Sequence, residues 1–443
     1  MDSALSLALE ALSWIEMKNL SYSTAVVRSA KQLGVSDKRT IVRASYLVRN
    51  VLLRKNFIDR VLKLALSPAN LDDFNFGNRS FLRIFVFKTK FDLISVDEAI
   101  RLAKSGRAIL GLEGLMPVEE FLGRILGLEV EEVLFGLDDN GKISIQTFNP
   151  RWFVDYCVQL MGRSKALQFL SYYSTPTRFV KVNVLNGGEE KVLMEVSNSG
   201  VILTKVSDFP FLYTVTQGAG RLIGQAAYAK GLLSFQDIPS CLSSLLGSPR
   251  SGYFVLNVGF GSISSTVYLA QLMNNTGKIL SIDSSAHRMK VLAIEAERAN
   301  IDIVEPVVVE TSKMPSISGK ADLVILSPMC SNTGIFWRAP SLKWNVDFKR
   351  IKDSADVQSS MINNYADYVK HGGSLVYWTR SITVEENELL IERFLKLHPE
   401  FSLVAAKPRV GVLGLREQNE CQRLYPYIHG ADGSYFARLI KHE

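Results

Sequence analysis

The chain has 443 residues, of which 47% are hydrophobic and 21% charged, and it carries a net charge of +7. That length predicts roughly two to four domains, the composition excludes a disordered chain, and the basic balance favours a polyanionic partner. Cys157, Cys241, Cys330 and Cys421 form no C-x-x-C pair, which excludes a disulfide framework and a zinc site and fits a reducing cytoplasm.

The first residues, MDSALSLALEALSWIE, lack a positive n-region and read as an amphipathic helix rather than a signal peptide. Leu5, Leu7, Ala8, Ala11, Leu12 and Ile15 recur at helical spacing. Two further stretches, 22–34 and 37–66, repeat the pattern. SVDEAIRLAKSG opens with a Ser-x-x-Glu capping box and predicts a helix ending near Gly106. From Arg28 to Lys63 there are ten Lys/Arg against two Asp. Such a face is either a solvated helix surface or a surface for RNA. No apolar run approaches the roughly 18 residues of a membrane span. LDDNGKISI, around Asn140-Gly141, reads as a turn, and sets the end of a helical domain at residue 145.

Residues 146–235 are mixed. NPRWFVDYCVQLMG predicts a helix, RFVKVNVLN a strand, and KVLMEVSNSGVILTKV a further short helical and extended segment. Residues 236–443 then alternate. YFVLNVG, GKILSID, EPVVVE, ADLVILS and SLVYWT are buried strands, separated by helical patterns through 264–275, 286–300 and 357–373. EENELLIERFLKLHP is one more helix. The rhythm predicts a parallel, doubly wound sheet.

In VLNVGFGSISSTVYLA, Gly259 and Gly261 lie on the turn between the first of these strands and its helix, where glycine lets backbone approach a ligand. A G-x-G pair alone is weak. Asp283 ends the next strand, where a carboxylate can hold both ribose hydroxyls. Glu310 ends the third and can reach an adenine edge. Ile263 stands where a third glycine would bind a pyrophosphate, so S-adenosylmethionine fits better than a dinucleotide.

Several segments, TPTRFVKVN, GLLSFQDIPS, WRAPSLKW and the C-terminal RLYPYIHGADGSYFARL, together make the chain similar to the RsmB/Sun family of S-adenosylmethionine-dependent RNA cytosine-C5 methyltransferases. In the last segment Arg423, Tyr425, Pro426, His429, Gly430, Asp432 and Gly433 sit where that family has them. The resemblance implies three domains: an all-α NusB-like domain (1–145), a small α+β RNA-contacting domain (146–235) and an α/β Rossmann-like methyltransferase domain (236–443). It implies a monomer acting on structured rRNA or tRNA, with no DNA, membrane or metal. The cofactor side would comprise Asn257, Gly259, Gly261, Ser265, Asp283, Arg288, Glu310 and Ser327. The RNA side would comprise Lys181, Asn183, Arg338, Lys343, Trp344 and Arg380.

The catalytic motifs depart from the family pattern. D-x-C-A-A-P-G-G-K-T reads NVGFGSISST, with Asn257, Ile263, Ser264 and Ser265 at the Asp, Gly, Gly and Lys positions. D-A-P-C-S-G-T-G reads SPMCSNTG: Ser327 replaces the acid and Cys330 is kept. T-C-S, whose cysteine is the nucleophile, reads TRS, and Arg380 takes that place. The family adds a thiolate to carbon 6 of cytosine so that carbon 5 attacks the sulfonium methyl, with an acid at N3. A guanidinium stays protonated and has no usable lone pair. Cys330 is then either a substitute nucleophile or a buried relict thiol. Arg380 holds a phosphate, stacks on a base, or pairs with Glu385 or Glu386. Lys181, Arg338 and Lys343 are RNA contacts or ordinary surface charge. Trp344 stacks on a nucleotide or packs in a core.

Overall fold

The computed structural model describes residues 2–174, 177–224, 226–259, 262–310 and 317–443. The chain divides into two compact units, one of Met1–Tyr172 with Phe336–Val346, the other of Tyr173–Ile335 with Asp347–Glu443.

The first unit is helical. Asp2, Ser21 and Asp37 cap the helices Ser3–Lys18, Tyr22–Gln32 and Lys38–Leu53 with side-chain oxygens on the first free N–H groups. The central helix, Phe76–Lys90, buries Phe81, Leu82, Ile84, Phe85, Val86 and Phe87, and the other helices pack round it. Its Arg83 is buried too, and is held by Glu16 (2.5 Å) and Asp59 (2.8 Å). The helix Val96–Leu110 does open with the Ser95–Glu98 capping box, but it runs through Gly106. A Cβ there would lie 2.4 Å from the Phe81 ring, so this glycine allows close helix packing and is not a stop signal.

The Asn140-Gly141 turn is likewise absent. Asp138 caps a helix Asp139–Gln146, accepting from the Gly141 N–H, and Asn140 donates to Asp155 (2.7 Å). The helices Arg151–Met161 and Arg163–Leu170 belong to this helical unit, which therefore ends at Tyr172 and not near 145. WRAPSLKW joins it: Phe336 packs edge-on against Phe153 and Trp337 against Tyr172.

The second unit holds two sheets. The smaller is built from β1 (Phe179–Val182), β2 (Ile202–Lys205), β3 (Leu212–Gln217) and β4 (Leu233–Gln236), in the order β2-β3-β1-β4 and antiparallel throughout. Val180 and Val182 face Val192 and Val196 of the helix Glu189–Ser197. The larger sheet adds β5 (Phe254–Gly259), β6 (Lys278–Asp283), β7 (Val304–Val308), β8 (Ala321–Ser327), β9 (Val369–Thr379), β10 (Phe401–Leu403), β11 (Val412–Leu413), β12 (Gln422–Leu424) and β13 (Ser434–Lys441). The five strands β9-β8-β5-β6-β7 are parallel, as the alternation predicts. The whole sheet is mixed, not parallel, because β13 returns antiparallel beside β9 and carries β10 and β12 with it. The order reverses between β5 and β8, and the crevice beyond their C-terminal ends is where such sheets bind ligands. Among the described residues, no helix is long and apolar enough to cross a membrane.

Candidate functional site

At the end of β5, Gly259 has φ +98, and a Cβ on it would lie 2.3 Å from the Ser327 carbonyl oxygen of β8. The close approach of two strands thus requires the glycine, with or without a ligand. Asn257 is fully buried and donates to the hydroxyls of Ser265 (3.0 Å) and Thr266 (2.7 Å). Thr266 shares a hydrogen bond with Ser281 of β6 (3.1 Å). A neutral amide–hydroxyl cluster therefore stands where the resemblance implies a carboxylate and a lysine. Gly261 lies outside the described residues.

Asp283 is fully buried at the end of β6. Its Oδ1 accepts from the Ser285 N–H (2.7 Å) and from Arg288 (2.6 Å), and its Oδ2 lies 2.5 Å from the Arg288 guanidinium with no hydrogen bond. A carboxylate has about four lone-pair positions, so this one can still accept from a ribose hydroxyl, and a fixed carboxylate at a sheet end fits that group. Glu310, also predicted for the cofactor, is exposed.

The base side is made by three chain segments. Gly334 donates to the carbonyl of Arg380 and Gly433 to that of Gly334, both at 3.0 Å. A Cβ on Gly334 would lie 1.9 Å from the Gly433 oxygen, so only glycine lets the 327–335 loop lie against the 430–434 turn. Ser327, Met329, Cys330, Asn332 and Arg380 help line a cavity of about 60 Å³. The Ser327 hydroxyl donates to the Val258 carbonyl at 3.4 Å.

Arg380 pairs with neither Glu385 nor Glu386. Its Nη2 lies 3.1 Å from Asp237 Oδ1 and its Nε 3.8 Å from Asp432. The guanidinium also lies over the Trp378 ring, 5.5 Å from its centroid. Burial works against its charge, but the two carboxylates push its pKa up. Asp237 caps the helix Ile238–Leu246 through the Ser240 N–H. Burial raises its carboxyl, yet Arg380 and Ser240 together hold it below the usual carboxylate value. Cys330 is half-buried, with its sulfur 3.6 Å from Asn332 Oδ1. Burial, then the charge of Glu386, pushes the thiol up to about 12, so it is protonated at neutral pH.

Glu386 itself was visible in the sequence merely as a possible partner of Arg380. It is a buried hub, accepting from the Ser331 N–H (2.7 Å) and from the hydroxyls of Ser331, Ser381 and Thr383. Gln358 donates to it at 2.9 Å. The sequence signal is slight: hydroxyl residues cluster in both loops around an acid-rich stretch. Beside it, Arg423 and Glu388 form a fully buried bidentate pair.

The predicted RNA contacts are mostly interior. Lys181 is 3% exposed, with no hydrogen-bond partner for its Nζ among the described residues, and burial lowers its pKa to about 7. Asn183 is buried and donates to the carbonyls of Gly231 (3.1 Å) and Ala299 (2.9 Å). Lys343 is 2% exposed, and its ammonium donates to the carbonyls of Leu53 and Phe148. Burial, then Arg54, lowers it to about 7. Trp344 donates to the Leu52 carbonyl (2.5 Å). Asn183, Lys343 and Trp344 thus bond to backbone carbonyls within the fold, while Lys181 is buried without such a bond among the described residues. Arg338 is half-buried.

The sheet order, the ligand crevice at its switch point and the buried acid at the end of β6 define a Rossmann-like methyltransferase fold. Residues 245–440 match the family model described as 16S rRNA methyltransferase RsmB/F. The probable ribosomal RNA small subunit methyltransferase B of Bacillus subtilis is 24% identical over 457 residues, spanning 99% of each protein. The crystal structure of PH0851 matches with a TM-score of 0.82 at 25% identity, covering 100% of this chain and 99% of that one. The crystal structure of NSun6 from Pyrococcus horikoshii with SFG matches with a TM-score of 0.60 at 20% identity, covering 66% of this chain and 98% of that one, a likeness of fold.

Proposed function

We propose that this protein is a cytoplasmic, monomeric RNA-binding member of the RNA cytosine-C5 methyltransferase family in which the family's thiolate chemistry at residue 380 is closed. The observation that carries the reading is the Arg380 guanidinium, held between Asp237 and Asp432 where the family pattern places its nucleophilic cysteine. Addition to carbon 6 of a pyrimidine needs a soft nucleophile with a lowered pKa. Arg380 offers none, and the Cys330 thiol is pushed in the opposite direction. Ser327 carries no charge to support the addition at N3.

Asp283 and the backbone at Gly259 are the described residues that would hold S-adenosylmethionine. When bound, that cofactor supplies an electrophilic methyl group. The exposed cations Arg28, Lys31, Lys38, Arg39, Arg43 and Lys63 support RNA binding through phosphate contacts, which release counterions and make affinity fall with salt.

The test is RNA carrying 5-fluorocytosine, which stalls the covalent adduct after methyl transfer, run beside filter binding over a salt series. The expected result is RNA binding that weakens with salt, and no adduct. An adduct present in wild type and lost in Cys330→Ala would make Cys330 the nucleophile and overturn the reading. Binding that is absent, or flat across salt, would remove the RNA-binding half.

A further inference from the structure

Cys330 sits between two peptide groups that are both tied down. The Met329 carbonyl accepts from the Gln358 side chain at 2.9 Å. The Ser331 N–H donates to Glu386 at 2.7 Å. Gln358 closes the ring by donating from the same amide nitrogen to Glu386 Oε1 at 2.9 Å. The other oxygen of Glu386 takes the hydroxyls of Ser331 (2.5 Å), Ser381 (2.5 Å) and Thr383 (2.8 Å). Ser381 and Thr383 follow Arg380 in the chain, so one carboxylate bridges the cysteine loop and the arginine loop. Tyr377 adds a third anchor, with its hydroxyl on the Glu386 carbonyl (2.7 Å) and on Gln358 (3.1 Å).

A buried carboxylate with this many charge-assisted donors is costly unless every one is satisfied, and satisfied networks of this kind fix loop geometry. We propose that Glu386 is the positioning residue of the base-side site: with Gln358 it clamps both peptide groups flanking Cys330 and fastens them to the Arg380 loop.

The charges facing Cys330 are consistent with that geometry. Glu386, from the loop after β9, opposes thiolate formation, and Arg380, from the end of β9, favours it. Tyr377, on β9 itself, is neutral, its hydroxyl being pushed far up by burial. The clamp thus places the cysteine within reach of one negative and one positive side chain. Removing the negative one without loosening the loop must lower the thiol's titration point. This holds whether or not RNA is methylated, because it concerns the resting protein.

The experiment is alkylation of the full-length protein by iodoacetamide across a pH series, followed by peptide mass spectrometry at Cys330. The other three cysteines are buried and act as an internal baseline. Glu386→Gln keeps the shape and an acceptor oxygen but removes the charge. It is expected to move the midpoint of Cys330 alkylation down by about one pH unit, which is about tenfold in rate on the alkaline side of neutral. An unchanged midpoint, or one that rises, overturns the proposal. Gln358→Leu cuts the link to the Met329 carbonyl and keeps the charge. It is expected to speed alkylation several-fold at every pH, with the midpoint near that of wild type. If Gln358→Leu leaves the rate unchanged, the clamp does not hold the loop and the proposal fails, even where Glu386→Gln does not fold. Neither readout requires RNA or cofactor, so failure here is distinct from failure of the functional reading.

Discussion

Two arginines of the second unit make opposite use of the same side chain. Arg423, on β12, is 1% exposed and meets Glu388 with both arms of its fork, while Nη1 donates to the Ile382 carbonyl at 2.9 Å. Arg380, at the mouth of the cavity, meets Asp237 at 3.1 Å and Asp432 at 3.8 Å, and its Nε makes no hydrogen bond. The first geometry is that of a fold-holding pair: planar, bidentate and dry. The second is looser and partly wet, with two carboxylates sharing one cation. The difference separates a residue locked by both arms of its fork from one held by single, longer contacts.

The sharpest break of this comparison is Arg423→Met. It leaves the Glu388 carboxylate buried, with the Leu415 N–H (3.0 Å) as a remaining donor. Removing one partner of a buried pair costs roughly 3–5 kcal/mol, because the other charge stays uncompensated. Urea denaturation followed by tryptophan fluorescence measures it. A loss below about 1 kcal/mol would mean that Glu388 neutralises itself or reaches water, and that the pair is no anchor.

Arg380→Cys should cost less, roughly 1–2 kcal/mol. It lies between exposed pairs, worth about 0.2–1 kcal/mol, and buried ones. The substitution restores the residue type of the family pattern, yet it leaves Asp237 and Asp432 without their cation and Ser327 without charge. No 5-methylcytosine is expected from it, since groups that act as a unit do not recover one at a time. Labelled-methyl transfer to total RNA, with denaturation alongside, checks both halves. A variant as stable as wild type would show that the two aspartates do not need Arg380.

Much of the second unit could be read from local pattern. The apolar runs at Val255–Val258 and Leu323–Leu326 are strand cores. What could not be read depends on contacts far apart in sequence. Asp237, the partner of Arg380, is 143 residues away. Lys343 looked like surface charge because lysine usually is, but carbonyls contributed from near Leu53 and Phe148 draw it inside. Gly106 looked like a helix end because the Phe81 ring that needs the space lies on another helix. The antiparallel direction of β13 depends on its pairing with β9, some sixty residues earlier, which local alternation does not encode.

The smallest expected effect is a pH dependence that belongs to Arg380 and not to Arg423. Burial raises the Asp237 carboxyl, but Arg380 and the Ser240 bonds outweigh it, so the folded pKa lies below the ordinary carboxyl value of 3.8. Between the two values the unfolded chain binds more protons than the folded one. This group's contribution is therefore fully present above 3.8 and is lost as pH falls through the lower, folded value. In Arg380→Met the cation is gone, burial counts for more, and the folded carboxyl rises. The stability gap between wild type and Arg380→Met should then be widest near neutral pH and narrow as the solution is taken to about pH 3. With Asp237 partly exposed, water screens the pair, and the change in the gap should stay under about 1 kcal/mol. Urea midpoints of the two proteins, measured at several pH values over that range, decide it. A gap that does not change with pH would mean that Asp237 is held by Ser240 alone, and that Arg380 is free of it.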